Sequence, residues 1–362
     1  MRATVDAKAF YEALKTVSGA IRRSQVPALE QIRVDFLGGI CRLTASDLTV
    51  WLIKEIPAEG DSFSFMFSDT PSVVRASRYF DGEMSVELRG EKDDMKVLFF
   101  AGGKTGEFSS EDANMSPVCP SEEARYSYSL DAPVLLERVG KVRYAAIVNP
   151  SKPELAGVRF DGIHIWCVDG HRMAVNDDPG LNVERQFILP CNALMQLKAF
   201  PAGKTELMVG ERYAAFSMPG LRLVIRQLLA SDALHADTVI PSESRETFSI
   251  ERKQMLDAIR YLDGCSRRKR IHSAVFSGDK LTMENGGCEY SAALNLSRNS
   301  SIKFAFDVTQ MKEALEQQLY AEKAIHISII SDHNPIVLRS GLADTALIMP
   351  VRIRDEWRRN AA

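Results

Sequence analysis

The chain has 362 residues, of which 45% are hydrophobic and 26% are charged, and its formal net charge is −3. No apolar run reaches the roughly 18 residues of a membrane-spanning helix, and the N-terminus "MRATVDAKAF" lacks the apolar core of a signal peptide. These features argue against membrane and secreted proteins. We therefore expect a cytoplasmic globular protein of two or three domains.

Six segments share one pattern, in which a short β-prone lead and a capping position precede an amphipathic helix. In chain order they begin at Thr4, Met66, Ser129, Ile188, Ser249 and Ala305. Between them, apolar and polar residues alternate, which is typical of antiparallel strands with one buried face. The repetition predicts three similar α+β domains, each with two helices on antiparallel sheets. Polar, proline-bearing linkers near Glu123 and Ser244 divide them into 1–123, 124–244 and 245–362.

The stretch "WCVDGHRMAV" places Asp169, His171 and Arg172 side by side. Asp and His share protons or hold metals in many active sites, so an enzyme is one interpretation. The other is a hairpin turn whose glycine supplies a positive φ. Equivalent turns are predicted at Asp47 and Asn285, so this stretch is one of three repeated turns, and among them it alone carries His-Arg.

Other candidate sites fail on spacing. "GGKTG" and "AGKTE" contain the Gly-Lys-Thr of a phosphate-binding loop, but Leu98 and Lys198 stand where that loop needs its first glycine. Both are predicted to be turns. The six cysteines are scattered without a Cys-x-x-Cys pair, which favours buried thiols over disulfides or zinc. We expect no cofactor and no metal site.

Basic residues recur on the predicted helices. Lys8, Lys15 and Arg22 step by seven residues, and the fifth helix repeats this spacing from Lys253. The full set is Lys8, Lys15, Arg22, Arg23, Arg75, Arg78, Arg138, Lys141, Lys198, Lys253, Arg260 and Arg267. Solvent-facing helices ordinarily carry Lys and Arg as well, so two interpretations stay open: ordinary hydration, or a shared basic surface.

The chain resembles the bacterial sliding clamp, the β subunit family of DNA polymerase III. The resemblance covers nearly the whole chain and rests on "VSGAI", "LTASDL", "VDGHRMAV" and "ALIMPVRI", in that order. It implies a non-enzymatic, head-to-tail homodimer, a closed ring of six clamp domains. The basic helices would line a hole for duplex DNA, bound without regard to sequence. The alternative is a clamp-fold scaffold that binds proteins without stably encircling DNA.

The same resemblance implies a pocket for short apolar peptides from DNA polymerase, the clamp loader and repair proteins. Its residues here would be Leu155, Val168, Gly170, His171, Arg172, Met173, Leu347, Ile348, Met349, Pro350, Val351 and Arg352. His171 and Arg172 would orient the peptide. Leu234 and Val239 are weaker matches, because the segment around them departs from the family pattern. The tail 354–362 extends beyond the usual end and would cover or lengthen the pocket.

The dimer contact is expected between the first and third domains. The first carries 14 basic and 20 acidic residues, and the third carries 18 and 15, so opposite charges favour their encounter. By the family pattern, the strand around Phe108 would meet the helix end near Tyr261 and Leu262.

Overall fold

The computed structural model of the protein describes residues 1–90, 94–147, 152–229, 234–265, 273–285 and 287–352. Arg267 and the tail 354–362 lie outside these residues. The chain divides into two compact units, residues 1–136 with 192–227, and residues 137–191 with 228–362.

The first unit is built on one 13-stranded antiparallel sheet. Its strands in chain order are β1 (Arg2–Asp6), β2 (Arg33–Leu37), β3 (Ile40–Ser46), β4 (Val50–Pro57), β5 (Glu59–Gly60), β6 (Phe63–Phe67), β7 (Glu83–Arg89), β8 (Lys96–Ala101), β9 (Lys104–Glu111), β10 (Tyr126–Asp131), β15 (Lys204–Val209), β16 (Tyr213–Met218) and β17 (Leu221–Arg226). They are arranged in the order β10-β15-β16-β17-β4-β3-β2-β6-β9-β8-β7-β1-β5. Helices α1 (Ala7–Ser18) and α2 (Thr70–Ser77) contact each other, and α1 also packs on β3 and β4.

The second unit contains an eight-stranded and a four-stranded sheet, both antiparallel. Its strands are β11 (Gly157–Gly162), β12 (His164–Val168), β13 (Arg172–Asp177), β14 (Val183–Pro190), β18 (Glu246–Glu251), β19 (Ser273–Gly278), β20 (Lys280–Asn285), β21 (Cys288–Ala293), β22 (Ser300–Asp307), β23 (Ala324–Ile329), β24 (Ile336–Ser340) and β25 (Asp344–Ile348). The sheet orders are β14-β11-β12-β13-β25-β24-β23-β18 and β21-β20-β19-β22.

The six predicted strand-cap-helix segments are observed. The remaining helices are α3 (Ala132–Val142), α4 (Cys191–Leu194), α5 (Ala236–Val239), α6 (Arg252–Cys265) and α7 (Val308–Gln317). Carboxylates of Asp6, Asp69 and Asp307 cap α1, α2 and α7 by accepting backbone N–H groups of the first turn, which satisfies otherwise unpaired donors. Short 3-10 helices occur at Pro27–Leu29, Ala113–Met115, Arg143–Ala145, Pro153–Ala156 and Met195–Ala199. No helix within the described part of the chain is long and apolar enough to cross a membrane.

The repeats are joined by strand pairing. In the first unit, β4 pairs with β17, placing Val50 opposite Ile225. In the second, β13 pairs with β25, placing Arg172 opposite Ile348. The strands of the middle repeat therefore belong partly to the first unit and partly to the second. The division into 1–123, 124–244 and 245–362 stays a prediction from the repeats, since the two compact units cut across it.

Candidate functional site

The structure brings together two sequence segments that lie far apart in the chain. Arg172 and Met173 of β13 stand opposite Ile348 and Leu347 of β25. The pairing continues past the strand, where the Met349 N–H donates to the His171 carbonyl at 2.8 Å. The hairpin "VDGHRM" and the segment "LIMPVR" therefore lie side by side as one continuous stretch of paired backbone.

Asp169 forms the turn of that hairpin. Its carboxylate accepts the backbone N–H groups of His171 and Arg172 at 2.8 and 2.9 Å, and it also pairs with the Arg172 side chain. Gly170 has a φ of 94°, a conformation that favours glycine. These contacts engage the Asp169 carboxylate in holding the turn, so Asp169, His171 and Arg172 are adjacent because they belong to one hairpin turn. Within the described residues, no group of three His, Cys, Asp or Glu is placed to hold a metal ion.

Arg172 lies on the side of the sheet that faces the helices, which differs from its predicted role. Successive side chains of a strand point to opposite faces, so Arg172 and Met173 cannot both reach one groove. The Arg172 guanidinium forms ion pairs with Asp169 and Glu313 and stacks over the Tyr144 ring at 5.3 Å. It therefore ties the turn to α7, whereas His171 is exposed.

The opposite face of the sheet carries a largely buried apolar cluster, which we call the apolar groove after the pocket that the resemblance implies. Its buried floor consists of Trp166, Met173, Val175, Ala236, Val337 and Leu347. Val168, Leu234, Val239 and Ile240 pack against it and are partly buried. Leu234 and Val239, the weaker sequence matches, thus lie on the groove. Five residues of this cluster were not predicted: Trp166, Val175, Val337, Ala236 and Ile240. The period-2 spacing of Trp166 with Val168 and of Met173 with Val175 signals two of them.

The other predicted pocket residues surround this floor unevenly. Leu155 lies in the 3-10 helix before β11, where its carbonyl accepts the Ile147 N–H. Ile348 is 1% exposed and shares the helix-facing side with Arg172. After β25, Met349 is 40% exposed and Arg352 is exposed, while Pro350 and Val351 are half-buried. Met349 is therefore the accessible apolar side chain of the segment.

Two histidine contacts hold α5 beside the groove. His235 contacts the Asp161 carboxylate at 3.1 Å, and His164 lies between Asp177 at 2.7 Å and Asp237 at 3.2 Å. Burial of His164 disfavours its protonation, but the hydrogen bond and charge of Asp177 outweigh it, so its pKa is raised. The contact with Asp237 therefore strengthens as His164 becomes protonated.

Most of the predicted basic residues are exposed, and two are not available. Those exposed are Lys8, Lys15, Arg22, Arg23, Arg75, Arg78, Lys198, Lys253 and Arg260. Arg260 also pairs with Glu316 at 2.9 Å. The predictions for Arg138 and Lys141 need correction. Arg138 pairs with Asp178 at 3.0 Å, and Lys141 pairs with the buried Asp344 at 2.9 Å, so both cations are half-buried and already paired with carboxylates.

The predicted dimer contacts lie next to open sheet edges. From Lys104 to Phe108, β9 pairs only with β8 among the described strands, and β21 pairs only with β20. Tyr261 is 48% exposed, whereas Leu262 is fully buried in the helix packing and cannot offer a surface. Phe108 is half-buried, with its ring 4.9 Å from that of Phe99. An edge with free N–H and C=O groups is suited to strand pairing with a second chain.

Known proteins resemble this chain over nearly its whole length. No protein-family model matches it. It is 19% identical over 366 residues to the beta sliding clamp of Chlamydia muridarum and 20% identical over 378 residues to that of Streptococcus pneumoniae. These matches cover 95% and 96% of this chain and 96% and 98% of the relatives.

Solved structures agree. The crystal structure of the DNA polymerase III subunit beta from Pseudomonas aeruginosa superimposes with a TM-score of 0.86 at 17% identity, covering 98% of this chain and 100% of that one. The chain therefore has the sliding-clamp fold, and the resemblance inferred from its motifs is confirmed at an identity that fits a divergent relative.

Proposed function

We propose that the protein is a cytoplasmic DNA polymerase processivity factor without catalytic activity. Two copies form a ring around duplex DNA, and the apolar groove beside the hairpin holds DNA polymerase, the clamp loader and repair proteins through short peptide motifs. The observation that carries the proposal is the repeated strand pairing between successive repeats.

The repeated pairing leaves one strand with an open edge at each end of the series. The hairpin strand of the first repeat pairs with the last strand of the second, and β13 pairs with β25 in the same way. The third repeat's hairpin strand is β21 and the first repeat's last strand is β9, and both have open edges within the described chain. If two copies use the same pairing between chains, they would join through two identical contacts that close the open edges of β9 and β21.

The surface charge supports a sequence-independent hold on DNA. The helices α1, α2 and α6 carry exposed Lys and Arg side chains. Contacts of such cations with phosphates position a protein on DNA without reading its sequence. Free binding of duplex should weaken with salt by a log–log slope of roughly 0.9 per phosphate neutralised. A closed ring would then be retained on DNA mainly by topology.

The test is retention on DNA of two topologies. Protein loaded on closed circular DNA should stay bound through gel filtration, and it should be released when a single-site nuclease cuts the circle. The same linear DNA with blocked ends is the control and should retain the protein again. Equal loss from circular and linear DNA, by a protein that is dimeric in light scattering, would support the alternative of a scaffold that does not encircle DNA.

A further inference from the structure

The first unit contains a cavity of about 490 Å³ that the proposed clamp function does not use. It lies over the polar face of β2, β3, β4 and β17, next to the linker residues 117–121. Arg33, Arg42 and Arg222 line it, together with the carboxylates Asp35 and Glu55.

The charges in this cavity are not balanced. Arg33 pairs with Asp35 at 2.8 Å, and Arg42 pairs with Glu55 at 2.7 Å. Arg222 is exposed and has no ion pair with any described residue. The lining therefore carries one uncompensated positive charge, which favours an anionic ligand.

An unused hydrogen-bonding group stands beside that charge. Ser217 is the direct neighbour of Arg222 across β16 and β17, and it lines the same cavity. Its hydroxyl oxygen is buried without a hydrogen-bond partner in the described protein. Buried polar groups normally have partners, so a ligand oxygen accepting from Ser217 and facing Arg222 would satisfy both.

The second unit has the counterpart of this surface. In the first unit, Arg42 stands opposite Asp35 on one side and Glu55 on the other. In the second, His164 holds this middle position between Asp161 and a second aspartate. The two polar faces thus have the same strand register and a similar order of charges.

In the second unit a peptide segment occupies that counterpart. Asp161 accepts the Ala236 N–H at 3.2 Å and contacts His235, while His164 contacts the Asp237 carboxylate. Ala236 is fully buried there. In the second unit this surface therefore holds a short segment of the chain itself, with a buried apolar residue and a carboxylate.

The linker of the first unit does not fill the same space. Cys119 lies seven residues before β10, as Val239 lies seven before β18, and each packs against its apolar cluster. Ahead of Cys119, however, Val118 is 83% exposed and Met115 is 62% exposed. The region that α5 occupies in the second unit is open in the first.

We infer that this cavity binds a short acidic peptide segment of a partner protein. The peptide carboxylate lies between Arg222 and Arg42, as Asp237 lies against His164 in the second unit, and its apolar residues lie between Met218 and Val118. Every residue that lines the cavity belongs to the first unit, so the site does not depend on the proposed ring or on the apolar groove of the second unit.

The test uses the internal segment as a template for the probe. A fluorescein-labelled heptapeptide copies residues 234–240 with His235→Asp, and its matched control carries His235→Lys and Asp237→Lys. Titrated with the full chain, the acidic peptide should bind, and Arg222→Glu should weaken it by about fivefold to tenfold because an attraction becomes a repulsion. The affinity of the lysine peptide should instead increase in Arg222→Glu.

Arg226→Glu is the control variant, since Arg226 is exposed on the same strand but outside the cavity. It should leave the acidic peptide's affinity unchanged. No binding by the unaltered chain, or equal weakening by both variants, would overturn the inference.

A second readout locates the peptide. Burial raises the pKa of the Cys119 thiol, while Arg222 and Arg42 oppose this increase, so slow alkylation of Cys119 is expected. The bound acidic peptide should slow it further and leave the exposed Cys288 unaffected. Equal rates at Cys119 with and without a saturating peptide would show that the peptide binds elsewhere and would refute the site.

Discussion

The junction of β13 with β25 and the junction of β4 with β17 differ in the residues that meet there. In the second unit, Asn176 stands opposite Asp344, and the buried Asp344 carboxylate accepts hydrogen bonds from Asn176 and Lys141. In the first unit, Lys54 stands opposite Leu221, which is buried at the position of Asp344. The same register is therefore compatible with a buried ion pair or with an aliphatic side chain.

The hairpin turns next to the two junctions also differ, since among the described residues only the one in the second unit carries an ion-pair network. Arg172 joins Glu313 and Tyr144 in the second unit, whereas Val50 holds the position of Arg172 in the first. Gly19 occupies the position of Tyr144 in the repeat, close to the buried Gln196. The comparison shows that strand register follows from backbone pairing and apolar alternation, whereas the polar network is particular to one junction. Its removal should thus affect one unit and leave the other intact.

The largest effect is expected for Lys141→Ala. It leaves the Asp344 carboxylate, 1% exposed, without its cation, which typically costs about 3–5 kcal/mol of unfolding free energy. The matched variant is Thr16→Ala, at the equivalent position of α1, where the cost should stay below about 0.5 kcal/mol. Urea unfolding, monitored by amide hydrogen exchange in β13 and in β4, measures the loss of unfolding free energy in both variants. Equal destabilisation of the two units would show that the polar junction has no special role.

Arg172→Met should have a smaller effect of about 1–3 kcal/mol, since it removes hydrogen bonds to two partly buried carboxylates. A double-mutant cycle with Glu313→Gln isolates the ion pair. Additive losses would contradict the link between the turn and α7. Peptide affinity should change less than the free energy of unfolding, because Arg172 faces the helices.

Met349→Ala should weaken a peptide rich in Gln, Leu and Phe by about 1–2 kcal/mol, roughly tenfold, because a few apolar anchors dominate such interfaces. Leu342→Ala is the control, since Leu342 is fully exposed in a turn. Arg222→Glu should not change this peptide's affinity, which separates the groove of the second unit from the cavity of the first. Fluorescence anisotropy measures all three, and an unchanged affinity in Met349→Ala would remove the groove's proposed role.

The smallest effect concerns pH. Because the folded-state pKa of His164 is raised above its ordinary value of 6.5, its stabilising contribution is fully present below that value. It is lost as the pH rises through the folded-state pKa. The second unit should therefore become slightly less stable above about pH 6.5, and His164→Gln should remove this dependence. Urea midpoints measured from pH 6 to 8 test it, and an identical slope in the variant would contradict it.

Much of the fold could be predicted from sequence because it depends on local patterns. Acidic caps such as Asp6 and Asp307 precede amphipathic helices, and alternation defines the antiparallel strands. The turn at Asp169 was also foreseeable, since Asp-Gly between apolar runs is a strong hairpin signal. That "VDGHRM" and "LIMPVR" meet was implied by the family resemblance alone, because they lie about 180 residues apart and no local pattern links them.

The predictions from sequence were wrong for individual residues where tertiary contacts decide the orientation of a side chain. Arg172 and Arg138 look like surface cations in the sequence, but their carboxylate partners lie at Glu313 and Asp178, and nothing local marks those pairs. Leu262 follows the exposed Tyr261, and only the helix packing separates an interface residue from a core residue. The cavity beside Arg222 was not predicted, because it depends on how the linker residues 117–121 pack over the sheet.

In the proposed ring, two chains join by the register already used twice inside one chain. Val50 opposite Ile225 and Arg172 opposite Ile348 correspond to Cys288 of one chain opposite Phe108 of the other. That register places the exposed Thr105 opposite Ser291 of the second chain, with Cβ atoms about 4.5–5.5 Å apart.

Cysteine cross-linking measures this register directly. In a Cys288→Ser background, the pair Thr105→Cys and Ser291→Cys should form a covalent dimer on mild oxidation, as opposing cysteines are near disulfide geometry. Thr105→Cys with Ala292→Cys is the control, since one residue along a strand turns the side chain to the other face and should give little dimer. A monomeric mass at micromolar concentration, or equal cross-linking in both pairs, would contradict the proposed ring.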